Sequence, residues 1–261
     1  MIIQDITNAI EALAPLSYAE DFDNVGLLIG NHQTTVSGVL VTLDTLEATV
    51  DEAIAKKCNL IVSFHPIIFS GLKKINSNSY VERVVLKAIQ NNIAIYATHT
   101  ALDNSNKGVS AKICDVLGLQ NTAILVPKEN SNQQVGMGMV GEFSEAMEED
   151  AFLQFVKTTM KTACIRHSEK LHKPIKRVAV LGGSGSFAIA KAIHVKADAY
   201  LSADFKYHDF FKAEKQLLLA DIGHYESEQF TKELLVEYLT KKFTNFAILL
   251  SEKSTNPIYY I

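Results

Sequence analysis

Residues 59–99 read NLIVSFHPIIFSGLKKINSNSYVERVVLKAIQNNIAIYATH. An apolar run of strand length, NLIVSF (59–64), comes first. YVERVVLKAIQNN (80–92) follows and is amphipathic at the helical period. A second apolar run, IAIYATH (93–99), closes the stretch. Strand, helix and strand in that order form a βαβ unit, which predicts an α/β fold with a largely parallel sheet.

The alternation continues on both sides. Ile6, Ile10 and Leu13 share one face of a helix over 4–14, and Pro15 follows its end. GVLVTL (38–43) reads as a buried strand. Thr45 is placed to cap a helix reaching about residue 57, with Glu47 and Asp51 in its first turns. GVSAKICDVLGL (108–119) reads as a helix ended near Gly118. The polar stretch 120–134, with Pro127, reads as a crossing between domains. Beyond it, strands are expected at 135–143, 164–168, 176–183, 199–204 and 217–223. Helices are expected at 149–162, around 186–197 and near 208–216. A long amphipathic helix over 225–243 and NFAILLSE (245–252) close the chain. There is no internal repeat and no low-complexity tract.

The 261 residues suffice for one large or two ordinary domains. Hydrophobic residues at 48% and charged residues at 21% exclude disordered and fibrous classes. The net charge is −4 and Lys and Arg are scattered, which disfavours a nucleic-acid groove or an anionic membrane face. Cys58, Cys114 and Cys164 form no C-x-x-C pair, and their odd number argues against a disulfide framework. Asp5 and Glu11 interrupt the N-terminal stretch, so no signal peptide is expected. No run reaches the ~18 apolar residues of a membrane helix. The expectation is a cytoplasmic protein in a reducing compartment.

Two clusters carry chemistry. In SFHPIIFSGLKKI (63–75), His65 stands where a strand ends, and Pro66 breaks that strand. THTALDNS (98–105) places His99 and Asp103 at the end of another strand. Ligands of open parallel sheets bind beyond the carboxyl ends of the strands, so His65, His99 and Asp103 are expected to converge. In DIGHYESE (221–228), Gly223 allows a sharp exit, and His224 and Glu228 lie at i and i+4 on one helical face. The mixed imidazole and carboxylate set suits Zn²⁺, Mn²⁺, Fe²⁺, Co²⁺ or Ni²⁺, without choosing among them. A lone histidine at a strand end is ordinarily a cap or a satisfied core residue. Three at matching strand ends, each with an acidic neighbour, weigh against that reading. LGGSGSFAIAKAI (181–193) admits two readings: Gly183 and Ser184 hold a phosphate at a helix start, or Ser184 or Ser186 caps a helix after a tight turn. It lacks the lysine of a Walker A loop.

These segments together resemble the Ngg-one-interacting-factor-three-like family, whose members are named GTP cyclohydrolase 1 type 2 homologs. The resemblance rests on FHPIIFSGLKKI, HTALD, GGSGS, ADAYLSADFKYHDF and DIGHYESE in that order, with Asp23 to Leu27 as the family's Asp-Asn-x-Gly-Leu. It implies two α/β domains with mostly parallel or mixed sheets: residues 1–124 with 218–261 as the metal-binding domain, and 125–217 as the second. It further implies a toroidal homo-hexamer with a two-metal site in each subunit. By motif, His65, Asp103, His224 and Glu228 are the metal ligands, with Glu228 bridging. One departure stands out: the family's His-His-Pro is Phe64-His65-Pro66 here. Phenylalanine cannot ligate, so the ion at His65, Asp103 and Glu228 keeps its set. The second, left with His224 and Glu228, is weakened.

The expected activity is metal-assisted hydrolysis of a small, nucleotide-like substrate. His99 is a candidate general base or ligand partner and Glu228 a catalytic metal bridge. Tyr207 and His208, after the strand AYLSAD, are candidate substrate contacts, with surface packing as the alternative for Tyr207. Two rival readings stand beside it: a non-catalytic metal-binding scaffold or regulator, and a nucleotide sensor built on GGSGS.

Overall fold

The computed structural model describes residues 1–129 and 134–261. Residues 130–133, part of the expected crossing between domains, lie outside the described residues. The elements run α1 (Ile3–Leu13), β1 (Gly26–Ile29), β2 (Val39–Thr42), α2 (Glu47–Ala55), β3 (Leu60–Ser63), α3 (Tyr80–Gln90), β4 (Ala94–Ala97) and α4 (His99–Asp103). They continue with α5 (Val109–Leu117), β5 (Gln120–Pro127), β6 (Gly136–Met147), α6 (Glu149–Thr159), β7 (Arg166–His167), β8 (Ile175–Ser184), α7 (Ile189–His194) and β9 (Ala199–Ala203). The last are β10 (Leu218–Asp221), α8 (His224–Glu228), α9 (Thr231–Lys242) and β11 (Ile248–Leu250). The chain divides into two compact units, Met1–Leu102 with Thr231–Pro257, and Asp103–Phe230 with Ile258–Ile261.

The first unit holds a five-stranded sheet in the order β1-β4-β3-β2-β11. β4, β3, β2 and β11 are mutually parallel and β1 is antiparallel to β4. The β2, β3 and β4 residues are all buried, as strands covered on both faces must be. Leu40, Ile61 and Ile95 pack with Val84 and Ala88 of α3. Fully burying each such large aliphatic side chain is worth about 1.5–3 kcal/mol. β1, absent from the sequence reading, makes this sheet mixed.

The second unit holds a six-stranded sheet, β5-β6-β8-β9-β10-β7, in which β8, β9 and β10 are parallel. Its core joins Ala179, Tyr200 and Leu219 to Ile189 and Ala192 of α7. Residues 218–221, grouped by sequence with the first domain, contribute β10 to this second sheet.

Four local expectations need correction. Residues 120–127 form β5, paired with β6 through Ile124↔Met139, rather than a crossing. As an edge strand, β5 tolerates the polar residues and terminal Pro127 that made it read as a loop. The expected helix over 225–243 is two helices, α8 and α9, separated at Gln229–Phe230. No glycine or proline marks the break. Packing imposes it: α8 lies on β8, while α9 lies on β11 and α1. Thr45 does not cap α2; the helix starts at Glu47, and the Leu46 N–H donates to Thr49 Oγ1 at 3.3 Å. The helix near 208–216 is a 3-10 helix, Tyr207–Ala213, and a 3-10 turn, Ser186–Ala188, precedes α7. Among the described residues no helix is long and apolar enough to cross a membrane.

β11 is secured to the first unit partly by Glu52 of α2. Its carboxylate accepts from Ser251 Oγ at 2.6 Å and from the Glu252 N–H at 2.9 Å. Replacing buried Glu52 with alanine strands both donors and is expected to cost about 2–4 kcal/mol. Urea unfolding measures this; an unchanged midpoint would show that the C-terminal strand does not depend on this carboxylate.

Candidate functional site

The register of each sheet decides which residues meet. In the first unit, Thr42, Ser63 and Ala97 are aligned partners, so β2, β3 and β4 end level with one another. Asp44, His65 and His99 each stand two residues beyond those ends. β1 runs the other way and starts at Gly26 opposite Ala97, which brings Asp23 to the same edge. The His65 and His99 rings lie with centroids 5.4 Å apart. His65 Nδ1 is 2.8 Å from Asp44 Oδ1, and His99 Nδ1 is 2.8 Å from Asp23 Oδ1. Asp44 also accepts from Thr255 Oγ1. Asp23 also accepts from the Thr100 N–H at 3.0 Å and from its hydroxyl.

Phe64 is fully buried. Its ring centroid is 4.9 Å from that of His65 and 5.7 Å from that of His99. It contributes an apolar ring where the resemblance drawn from the sequence leads to an expected imidazole. His99 takes φ +28°, a conformation seldom adopted outside glycine, with its N–H donating to the Phe64 carbonyl at 2.9 Å. Residues held in this way concentrate at functional sites.

In the second unit, β8, β9 and β10 likewise end together, with Ser184 beside Ala203 and Ser202 beside Asp221. Gly183, Ser184, Asp204 and His224 therefore share one carboxyl edge. His224 Nε2 is 3.2 Å from Glu228 Oε2, and Nδ1 is 2.7 Å from Asp204 Oδ2. Glu228 is buried. Ser184 Oγ donates to the same Asp204 oxygen. Asp103 closes α4 as the first residue of this unit.

The glycine turn is occupied by this cluster. A Cβ on Gly183, at φ +69°, would lie 2.4 Å from Glu228 Oε1 and 3.3 Å from His224 Cε1. The Gly183 N–H donates to Ser227 Oγ at 2.8 Å. Glycine here makes room for the carboxylate, and its amide is already engaged. Tyr207 and His208 stand on the 3-10 helix after β9. Tyr207 is 73% exposed, its ring 5.1 Å from His208 and 5.5 Å from Phe211.

Sequence reasoning named the histidines and missed Asp44 and Asp204 as their partners. The signal was present: each acid follows the end of a parallel strand at the edge where the histidines were expected.

The electrostatics fit a cation. Burial works against a charge on His224, but hydrogen bonds and negative charge from Asp204 and Glu228 outweigh it and raise its pKa to about 11. The hydrogen bond from His224 leads the effects that hold Asp204 at about 2. A cation taking Nε2 must displace that proton. Ligand atoms about 2.1 Å from a common ion lie about 3.0–3.4 Å apart between octahedral and tetrahedral angles. The 3.2 Å Nε2–Oε2 separation falls in that interval, so this His/Glu pair fits a divalent metal.

The sequence profile of Duf34/NIF3 (NGG1p interacting factor 3) matches residues 1–257. The chain belongs to this family. The GTP cyclohydrolase 1 type 2 homolog of Clostridium acetobutylicum is 32% identical, with 98% of this chain and 97% of the relative covered. The relative of the same name from Lactococcus lactis is 34% identical over the whole of both chains. The crystal structure of Staphylococcus aureus protein SA1388 superposes with a TM-score of 0.91 at 29% identity, covering 100% of this chain and 99% of that one. The Duf34/NIF3 assignment thus spans both units.

Asp23 links the loop before β1 to α4. Burial raises its pKa, but the hydrogen bonds from His99 and Thr100 prevail and hold it at about 2. A depressed carboxyl contributes stability above its unfolded value and loses it as pH falls through the folded one. About 2 kcal/mol is therefore expected to disappear between roughly pH 4 and pH 2. Asp23→Asn is expected to remove that part of the pH dependence in unfolding experiments. Gly183→Ala is expected to cost about 1–3 kcal/mol, from its φ and from displacement of Glu228. A thermal melt matching the parent's would refute the close approach.

Proposed function

We propose that His65, His224 and Glu228, whose ligand atoms lie within 4.8 Å of one another, are joined by Asp103 of the family-like H-T-x-x-D motif in holding a divalent metal ion, and that the protein is a metal-dependent hydrolase of a small, nucleotide-like substrate. The observation that carries the reading is the His224–Glu228 pair, spaced for a common ion, with Asp204 behind the second imidazole nitrogen. The names of the relatives, GTP cyclohydrolase 1 type 2 homologs, support the substrate class. When bound, such an ion supplies Lewis-acid polarisation and lowers the pKa of a coordinated water from about 15.7 towards about 7. Glu228 would supply a carboxylate ligand to the ion. His99, oriented by Asp23, offers its Nε2 as a general base. Tyr207 and His208 offer an exposed aromatic surface to a planar group. Homo-hexameric assembly and a cytoplasmic location belong to the same proposal.

Phe64 favours one strong metal position and one weakened position, because a buried phenylalanine offers no donor. The same observation supports the second reading, a metal-binding scaffold without turnover. Elemental analysis of the purified protein is expected to give about one tightly held ion per chain, lost in Glu228→Gln and reduced in His65→Ala. Turnover of GTP and a panel of nucleotides, abolished by a chelator and restored by the ion, separates the hydrolase from the scaffold. Metal content unchanged in Glu228→Gln would overturn the site itself.

A further inference from the structure

Three histidines at the carboxyl edges of the two sheets, His65, His99 and His224, are each approached from behind by an aspartate. Asp44 meets His65 Nδ1 at 2.8 Å, Asp23 meets His99 Nδ1 at 2.8 Å and Asp204 meets His224 Nδ1 at 2.7 Å. In each case the nitrogen engaged is Nδ1. None of the three acids is adjacent in sequence to its histidine; the separations are 21, 76 and 20 residues. Each acid is anchored by further donors: Asp44 by Thr255, Asp23 by Thr100, and Asp204 by Ser184. Asp204 also adopts φ +58°, a left-handed conformation that aspartate and asparagine tolerate better than most residues.

We infer that Asp44, Asp23 and Asp204 are positioning residues that fix Nδ1–H of each imidazole and thereby present Nε2 to the bound ion or substrate. The inference deepens the metal-hydrolase reading and rests on it. The physical reason is tautomer choice. A neutral imidazole has one N–H, and a carboxylate at Nδ1 makes that nitrogen the donor. Nε2 then keeps its lone pair, directed by a ring that cannot turn without breaking the bond behind it. The carboxylate also raises the basicity of the ligand nitrogen. The three acids do not touch the ion in this scheme; they act through the histidines.

The test compares Asp204→Ala, Asp204→Asn and Asp44→Asn with the parent and with His224→Ala, using zinc as the probe. Zinc affinity is read by competition with a chromogenic chelator. Asp204→Ala is expected to weaken zinc binding by about 10- to 100-fold. Asp204→Asn keeps an oxygen acceptor and tolerates the backbone conformation, so it is expected to recover part of that loss. Asp44→Asn is expected to weaken zinc binding less than Asp204→Ala does. Long-range ¹H–¹⁵N spectra of the zinc-loaded protein, labelled at histidine, are expected to show Nδ1 protonated on His65, His99 and His224. In Asp204→Ala the His224 signature alone is expected to change, which a general loss of stability would not produce. Zinc affinity of Asp204→Ala within about twofold of the parent, when His224→Ala has lost zinc, would overturn the positioning role and leave the metal site standing. Full zinc affinity in His224→Ala would overturn the metal reading on which it rests.

Discussion

An imidazole offers a ligand atom in a fixed direction only when its other nitrogen is held. That constraint organises both sheet edges of this protein. Parallel strands that end level deliver the residues after them to a common line, and here those residues include both acids and histidines. Asp44 and His65 follow neighbouring strands of one sheet; Asp204 and His224 follow neighbouring strands of the other. The backbone hydrogen bonds of the sheets therefore place acid and base side by side before any side-chain contact is made. The antiparallel β1 extends the principle, because its starting end brings Asp23 against His99.

The second unit shows how closely the backbone yields to the side chains. Glu228 is buried, and the chain of β8 passes it at Gly183 without room for a methyl group. Ser227, one residue before, accepts the Gly183 amide and so ties α8 to the end of the strand. A segment that resembles a phosphate loop in one dimension is, in three, the wall against which a carboxylate rests. Phe64 has a comparable meaning in the first unit: its buried ring packs against both histidines and fills volume without offering a donor.

Much of this was legible in the residues. The apolar runs NLIVSF and IAIYATH appear as β3 and β4, and the i, i+4 spacing of His224 and Glu228 appears as a real pair on α8. What was not legible depended on the third dimension. β5 reads as a loop because an edge strand needs little apolar sequence. The break between α8 and α9 has no local marker, since it arises from two helices packing on different sheets. Asp44 and Asp204 stand legibly at strand ends, but which histidine each aspartate meets, across 20 to 76 residues, follows from strand register, which single-sequence periodicity does not report.

The helix α8 spans five residues and begins after Gly223 at φ +90°. So short a helix has no independent persistence, since isolated helices below about 12–15 residues are marginal in water. The spacing of His224 and Glu228 is therefore a property of the folded chain and vanishes with it. A cation recognised through this pair would favour the native state over unfolded ones, so occupancy would add to the stability of the fold by mass action.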